Sequence, residues 1–458
     1  MFTIAEILKA TGGALVRGPA LGRARRVCID SRSVQKGELF IAIKGEIFDG
    51  HDFVDDVAGK GARVVVVQRP VDIKDRNVSV IRVADTARAL GDIARFHRLR
   101  FKIPVIALTG SAGKTTTKEM IAAVLSRKYK VLKNEGTQNN HIGVPLTLLK
   151  LKPSHQILVL ECGTNQPGDI AWLADVARPT AAVFTNIGAS HLEKLKTVGG
   201  VFKEKWMLTS SMGPGDAVIM NADDAFLSRQ VGRKNIFRTV TYALKSRADW
   251  TARDIRVQAG RGLRFRAGGK IIELNACGAS NVYNALAALS CGALFRVPLK
   301  DIACALRSFE LPQGRGAIVR LGKGWMINDT YNANPVSMAS ALQTLQTIET
   351  RGQRIFVAAD MLELGRRSQE LHEAMGTLIA KKGVDVLITV GPGAGLMGAK
   401  AGRLNKKLQV FACRDACLAQ KYLARVFRNG DAVLIKGSRR MKMEQVAEFL
   451  LASPKGNL

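Results

Sequence analysis

Short apolar runs alternate along this chain with longer stretches of helical period. The runs at 38–43, 62–67, 103–108, 156–160, 180–184, 216–220, 354–358, 384–388 and 431–435 are apolar almost throughout. Strands of that kind are buried on both faces, which predicts mostly parallel sheets covered by helices, an α/β fold. Leu311-Pro312-Gln313-Gly314 breaks any continuing element and marks a boundary near 313. A second boundary near 84 precedes the run at 103–108, so the chain divides into units 1–84, 85–313 and 314–458. The length of 458 residues accommodates these three at roughly 150 residues per domain. Internal repeats and low-complexity segments are absent from the sequence.

The run at 103–108 leads into Thr109-Gly110-Ser111-Ala112-Gly113-Lys114-Thr115-Thr116 and then a helical stretch at 118–125. Strand, glycine-rich turn and helix in that order form a phosphate cradle. The glycines let backbone N–H groups turn onto phosphate oxygens, and the helix N-terminus adds partial positive charge. Lys114 neutralises phosphate charge, and the Thr115 hydroxyl can hold Mg²⁺. Only two residues separate Gly110 from Gly113, where the general pattern has four. The reading is an ATP site built from Gly110, Ser111, Ala112, Gly113, Lys114, Thr115 and Thr116. The bland alternative is a tight strand-to-helix turn that happens to carry a lysine.

Charge widens the choice of partner. Lys and Arg number 69 against 38 Asp and Glu, a net +31, which favours nucleic acid, an anionic membrane, or small substrates rich in phosphate and carboxylate. A plain solvated basic surface accounts for the charge equally well, since the basic residues are scattered rather than gathered in a tail. Aromatics make up 6% of the chain, too few for the stacking platforms of single-strand binders. The seven cysteines lack paired zinc-type spacings, which points to reduced thiols, with Cys413 and Cys417 in a core. The N-terminus has no basic segment followed by an apolar one, and no apolar run approaches the ~18 residues of a membrane span. The expectation is a soluble, cytoplasmic monomer bound to neither membrane nor nucleic acid.

Taken alone, Glu161 at the end of the run at 156–160 reads equally as a Mg²⁺ ligand and as a solvated strand end. His191 alone reads as a capped loop histidine, and Lys205 as a snorkelling helix residue. The order of the pieces changes this. Thr137-Gln138-Asn139-Asn140-His141-Ile142-Gly143-Val144-Pro145, Glu161-Cys162-Gly163, Ser190-His191-Leu192-Glu193 and Asn328-Asp329-Thr330-Tyr331-Asn332-Ala333-Asn334-Pro335 follow one another as in the Mur ligases, which the whole chain resembles. Tyr331-Asn332-Ala333-Asn334-Pro335, Asp360-Met361-Leu362-Glu363-Leu364-Gly365 and Lys436-Gly437-Ser438-Arg439 resemble the branch acting on UDP-N-acetylmuramoyl-tripeptide and D-alanyl-D-alanine.

The resemblance implies an ATP-dependent amide ligase working through an acyl-phosphate and a tetrahedral intermediate. It implies a small UDP-substrate domain, a central P-loop ATPase domain with a mostly parallel sheet, and a Rossmann-like C-terminal domain for the incoming dipeptide. It implies catalytic roles for Lys114, His191, Lys205 and Arg315, and two Mg²⁺ ions held by Thr115, Glu161, His191 and a carbamylated Lys205. Asn281 and Asn284 correspond to the adenine side and Asp329 to the ribose contact. Ser280 stands where relatives usually carry His, Asn328 where Asp is frequent, and Ala359 where Gly is frequent. Ser31, Arg32, Lys44, Asp49 and His51 resemble the UDP-sugar segments; Ser31, Arg32 and Lys44 can donate to diphosphate or uracil oxygens. The competing readings are another amide ligase of the same architecture, such as folylpolyglutamate synthetase or the ligase adding the third peptide residue; a basic P-loop ATPase acting on nucleic acid; and a non-catalytic binding protein.

Overall fold

The computed structural model describes residues 1–233, 236–258 and 262–452. Five sheets carry it. A five-stranded sheet runs in the order Ala14–Arg17, Ser79–Arg82, Val64–Val67, Leu39–Ile41, Val27–Cys28, antiparallel at its first pairing and parallel after it. Phe2–Thr3 and Arg23–Ala24 form a small pair beside it. The central sheet has seven parallel strands in the order Trp250–Thr251, Arg238–Ala243, Ala217–Asn221, Ala181–Phe184, Val105–Thr109, Ile157–Glu161, Val131–Lys133. An antiparallel sheet, Arg253–Gln258, Gly262–Ala267 and Lys270–Leu274, follows. The last sheet runs Ala317–Leu321, Gly324–Asp329, Ala432–Lys436, Arg354–Ala359, Val386–Val390, Gln409–Cys413, parallel except for the hairpin at its edge.

The apolar runs act as the pattern requires. Along Val105–Thr109, Ile106 and Leu108 pack on one side against Met120, Ile121 and Val124 of helix Lys114–Leu125. Val105 and Ala107 pack on the other against Val144, Leu148 and Leu173. A strand covered on both faces has no polar side to keep, and parallel pairing follows. From Val105–Thr109 the chain goes outward to Val131–Lys133 and Ile157–Glu161, then crosses to Ala181–Phe184 on the other flank. The loops at these carboxyl ends therefore diverge and leave a crevice, the usual place for a ligand in an open α/β sheet.

Helix Thr86–Arg98 joins the first unit to the second. The Asp85 side chain caps it by accepting from the Arg88 N–H. Ala89, Leu90 and Ile93 lie in the core of the first unit, while Ala94 lies in the core under the central sheet. At its end Arg98, 6% exposed, donates to the carbonyls of Phe101 at 2.6 Å, Ala177 at 3.2 Å and Ile103 at 3.2 Å. Two carbonyls of the following link and one from a helix distant in sequence are satisfied by one guanidinium. Its removal leaves them buried and unpaired, so Arg98→Ala should lower stability by about 2–4 kcal/mol and Arg98→Lys by less. Urea unfolding followed by circular dichroism measures this as a lower transition midpoint.

Candidate active site

Gly113, like Gly110, whose added Cβ would collide with Thr185 Oγ1, is a position the cradle reserves for glycine. Its φ is +80°, and a Cβ there would sit 2.7 Å from Asn284 Oδ1. The turn is braced from below: Asn186 Oδ1 accepts from the Ala112 N–H at 2.9 Å, and Thr185 Oγ1 donates to the Ala112 carbonyl at 2.7 Å. Ser111 Oγ donates to the Gly188 carbonyl at 3.0 Å and receives a hydrogen bond from Ser190 Oγ at 3.1 Å. Lys114 folds back, its Nζ donating to the Gly110 carbonyl at 2.9 Å. Burial pulls the Lys114 pKa down, with Arg315 adding to the effect and Glu161 opposing it. A bound polyphosphate would restore the ammonium's preference for charge.

Behind the cradle Glu161 is 1% exposed and fully engaged. Its Oε2 accepts from Thr115 Oγ1 at 2.8 Å and its Oε1 from Asn139 Nδ2 at 2.7 Å. Asn134 holds the backbone on both sides, accepting from the Glu161 N–H at 2.9 Å and donating to the Glu161 carbonyl at 3.0 Å. Lys118, itself fully buried, donates to the carbonyls of Asn134 at 2.6 Å and Gly136 at 3.1 Å. Asn139 and Asn134 hold Glu161 in place, and the sequence reading gave neither a role; the dense polar run at 134–141 was their only signal. Among the described residues no three His, Cys, Asp or Glu side chains form a ready metal cage. A hydroxyl beside one carboxylate suits a hard cation that takes its remaining oxygens from phosphate and water, as Mg²⁺ does.

Lys205, on helix Val198–Trp206, lies beneath this corner at 1% exposure. Burial drives its pKa far below the ordinary lysine value, Lys114 adds to the shift, and Glu204 and Glu161 oppose it. Glu204 offers little relief, because its carboxylate already accepts from the N–H groups of Gly168 and Ile170, each at 2.8 Å. Burial thus favours the uncharged amine over the ammonium at this position.

The third unit reaches across the crevice. Arg315 Nη2 donates to Thr115 Oγ1 at 3.0 Å, and its guanidinium stacks 3.6 Å from the Tyr331 ring centroid. Asn334 Nδ2 donates to the Ser111 carbonyl at 3.0 Å while Asn334 Oδ1 caps helix Pro335–Thr347. Asp329 faces the cleft, paired to buried Lys436 at 2.6 Å. His191 Nδ1 meets Glu363 Oε2 at 2.6 Å, and the Glu193 N–H donates to the Glu363 carbonyl at 3.1 Å. His191 and Glu363 both sit in left-handed backbone, at φ +50° and +64°. The hydrogen bond to His191 is the main cause holding the Glu363 carboxyl below its usual range. Glu363 and Lys436 carried no assigned role in the sequence reading; both lie within the motifs that set this branch apart.

Asn281 and Asn284 line the cleft with Ser280. They brace each other, Asn284 Nδ2 donating to Asn281 Oδ1 at 3.1 Å, and Asn284 Oδ1 accepts from Thr117 Oγ1 at 3.0 Å. The whole cleft encloses about 1270 Å³ and includes Lys44 from the first unit. The other residues expected at the substrate do not line it. Arg32 is exposed and closed on Asp30 at 2.9 and 2.8 Å, which holds the Asp30 carboxyl down at about 2. The Ser31 carbonyl accepts from Lys60 Nζ at 2.8 Å. His51 is buried, at 3% exposure: its Nδ1 faces Asp49 Oδ1 at 2.6 Å and its Nε2 accepts from the Gln68 N–H at 3.0 Å, so both ring nitrogens are engaged within the loop.

Three family models match the chain: the Mur ligase middle domain at 108–292, the Mur ligase glutamate ligase domain at 314–439, and the Mur ligase family catalytic domain at 23–98. The chain is 36% identical to the UDP-N-acetylmuramoyl-tripeptide–D-alanyl-D-alanine ligase of Escherichia coli, over 93% of each. A crystal structure of MurF from Acinetobacter baumannii superposes with a TM-score of 0.89 at 31% identity, covering 98% of this chain and 99% of that one. MurF from Thermotoga maritima in complex with ADP superposes at 0.83 with 29% identity, covering 93% and 97%.

The hydrogen bond from Asn139 to Glu161 is a support whose loss has a defined cost. Asn139→Ala should raise the Mg²⁺ concentration needed for half-maximal ATP turnover by about 10–100-fold while leaving the far-ultraviolet spectrum unchanged. A magnesium titration of phosphate release checks it.

Proposed function

Because the chain belongs to the Mur ligase family, we propose that this cleft joins D-alanyl-D-alanine to UDP-N-acetylmuramoyl-tripeptide with conversion of ATP to ADP and phosphate, a step of peptidoglycan precursor synthesis. The observation that carries the reading is the convergence of two units on one hydroxyl: Thr115, held by Glu161 from the central sheet and by Arg315 from the third unit. A ligase that activates a carboxylate on one domain and delivers an amine from another needs such a meeting point. The units 1–84, 85–313 and 314–458 serve the UDP-substrate, ATP and the dipeptide respectively, and the protein works in the cytoplasm.

A carboxylate resists attack by an amine because it is resonance-stabilised and its leaving group is oxide; transfer of the ATP γ-phosphoryl group to it supplies a better one. Lys114 and Arg315 face the cradle and offset charge on that phosphoryl group, an electrostatic contribution of a few kcal/mol. Asn281 and Asn284 hold the base side, and Asp329 accepts from the ribose. Lys44 takes the substrate's anionic end, alone among the residues expected there in lining the cleft. The fit of Thr115 and Glu161 to a hard cation makes them ligands of one Mg²⁺; His191 and carbamylated Lys205 serve a second. Mg²⁺ supplies Lewis-acid neutralisation of the phosphate oxygens. The neutral Lys205 amine adds CO₂ with loss of one proton, which converts a buried base into an anionic oxygen donor. Alignment of the dipeptide amine with the activated carboxyl contributes up to about 7–11 kcal/mol in well-oriented systems.

Phosphate release measured with ATP, the UDP-tripeptide and D-alanyl-D-alanine, each omitted in turn, should show turnover only when all are present; equal turnover with folate and glutamate would overturn the assignment. Lys205→Ala should lose most turnover with a smaller change in ATP affinity, and short-chain carboxylic acids should restore part of it. Wild-type turnover in Lys205→Ala would return this lysine to a packing role.

A further inference from the structure

The sheet of Arg253–Gln258, Gly262–Ala267 and Lys270–Leu274 buries one face and bares the other. Leu263, Phe265, Ala267, Ile272 and Leu274 turn into the central core. On the reverse face the register places Arg266 opposite Arg253 and Arg264 opposite Arg256. All four are exposed. Directly opposed residues have Cβ atoms about 5 Å apart, and like charges there destabilise a sheet. Local compensation is thin: Asp254 lies 3.4 Å from Arg266, and Glu273, opposite Arg264, is 3.3 Å from Arg307. An apolar group stands among the cations: Ile271 lies opposite Arg266 on the same face at 42% exposure. None of these residues lines the nucleotide cleft.

We propose that this face is a peripheral docking surface for an anionic lipid bilayer. A shallow array of guanidinium groups complements a plane of negative headgroups, with an attraction that adds per basic residue and fades within a Debye length. Ile271 between them reaches toward the boundary between headgroup and acyl chain, where apolar side chains are favoured. A nucleic acid would use stacking rings, and no aromatic side chain stands on the bare face of the described strands. Docking leaves the cleft open, so the proposal is independent of the ligase reading.

The test uses the full chain and the double variant Arg253→Glu, Arg256→Glu, which turns both like-charged cross-strand pairs into opposite-charged ones and so preserves the sheet. Co-sedimentation with vesicles of phosphatidylglycerol and phosphatidylcholine should show binding that weakens steeply with salt, and pure phosphatidylcholine vesicles should bind little. The double variant should bind anionic vesicles about 30-fold or more weakly. Its thermal midpoint should be undiminished and its ATP turnover in solution unchanged. A second variant, Arg256→Gln with Arg264→Gln, should fall between. Equal binding to neutral vesicles, unaltered binding by the double variant, or absence of vesicle binding at low salt would overturn the proposal. Tighter binding of the same face to a single-stranded oligonucleotide than to anionic vesicles at equal salt would also overturn it, and would assign the surface to nucleic acid.

Discussion

Burying the Glu161 carboxylate at 1% exposure would cost several kcal/mol if its oxygens were unpaired, and the way they are paired organises the molecule. Thr115 and Asn139 take one oxygen each, and Asn134 takes both backbone groups. Thr115 comes from the cradle helix, Asn134 and Asn139 from the polar loop at 134–140, and Glu161 itself ends the strand Ile157–Glu161. One acid therefore fixes the mutual positions of three segments that local propensity leaves independent. Lys118 extends the arrangement by pinning the loop's carbonyls, which explains why a lysine can be fully buried in the middle of a helix. Lys114 and Arg315 both stand close enough to the carboxylate for it to act on their charge.

Contacts between the second and third units have a different character from the cores on either side. Arg315 to Thr115, Asn334 to Ser111 and His191 to Glu363 are polar and each meets water when separated, while Leu371 adds an apolar contact at the edge of the second unit's core. Small polar contact sets behave as interfaces that form and part, whereas the first and second units share the apolar face of helix Thr86–Arg98. Movement at the cleft accordingly falls on the third unit. Residues in the left-handed region on both sides of one contact, His191 and Glu363, add local strain that the contact itself holds in place.

What could be read from the chain was what is local. The cradle of Gly110 to Thr116 depends on seven consecutive residues and one preceding strand, so its chemistry showed in the spacing. The parallel strands showed because burial on both faces leaves a continuous apolar run. The antiparallel strands at 253–274 escaped notice, since an arginine-rich run with one bare face has no such signature. The pairing of Asp329 with Lys436 spans more than a hundred residues, and no local pattern records it. His51 shows a different limit. An Asp-x-His beside glycine looks the same whether the ring turns outward to a ligand or inward onto the Gln68 N–H, and only the packing of Val64–Val67 decides.

The helix Thr86–Arg98 bears on how separable the parts are. Two of the three carbonyls under Arg98, those of Phe101 and Ile103, belong to the link between this helix and the central sheet, and the third, of Ala177, comes from the far end of a helix beneath that sheet. A chain cut after residue 84 would strip cover from Ala89, Leu90 and Ile93 on one fragment and leave Phe2, Ile4 and Val64 open to water on the other. Modularity in this protein thus stops at one joint: the third unit is exchangeable in principle, while the first is grafted onto the second and shares its fate.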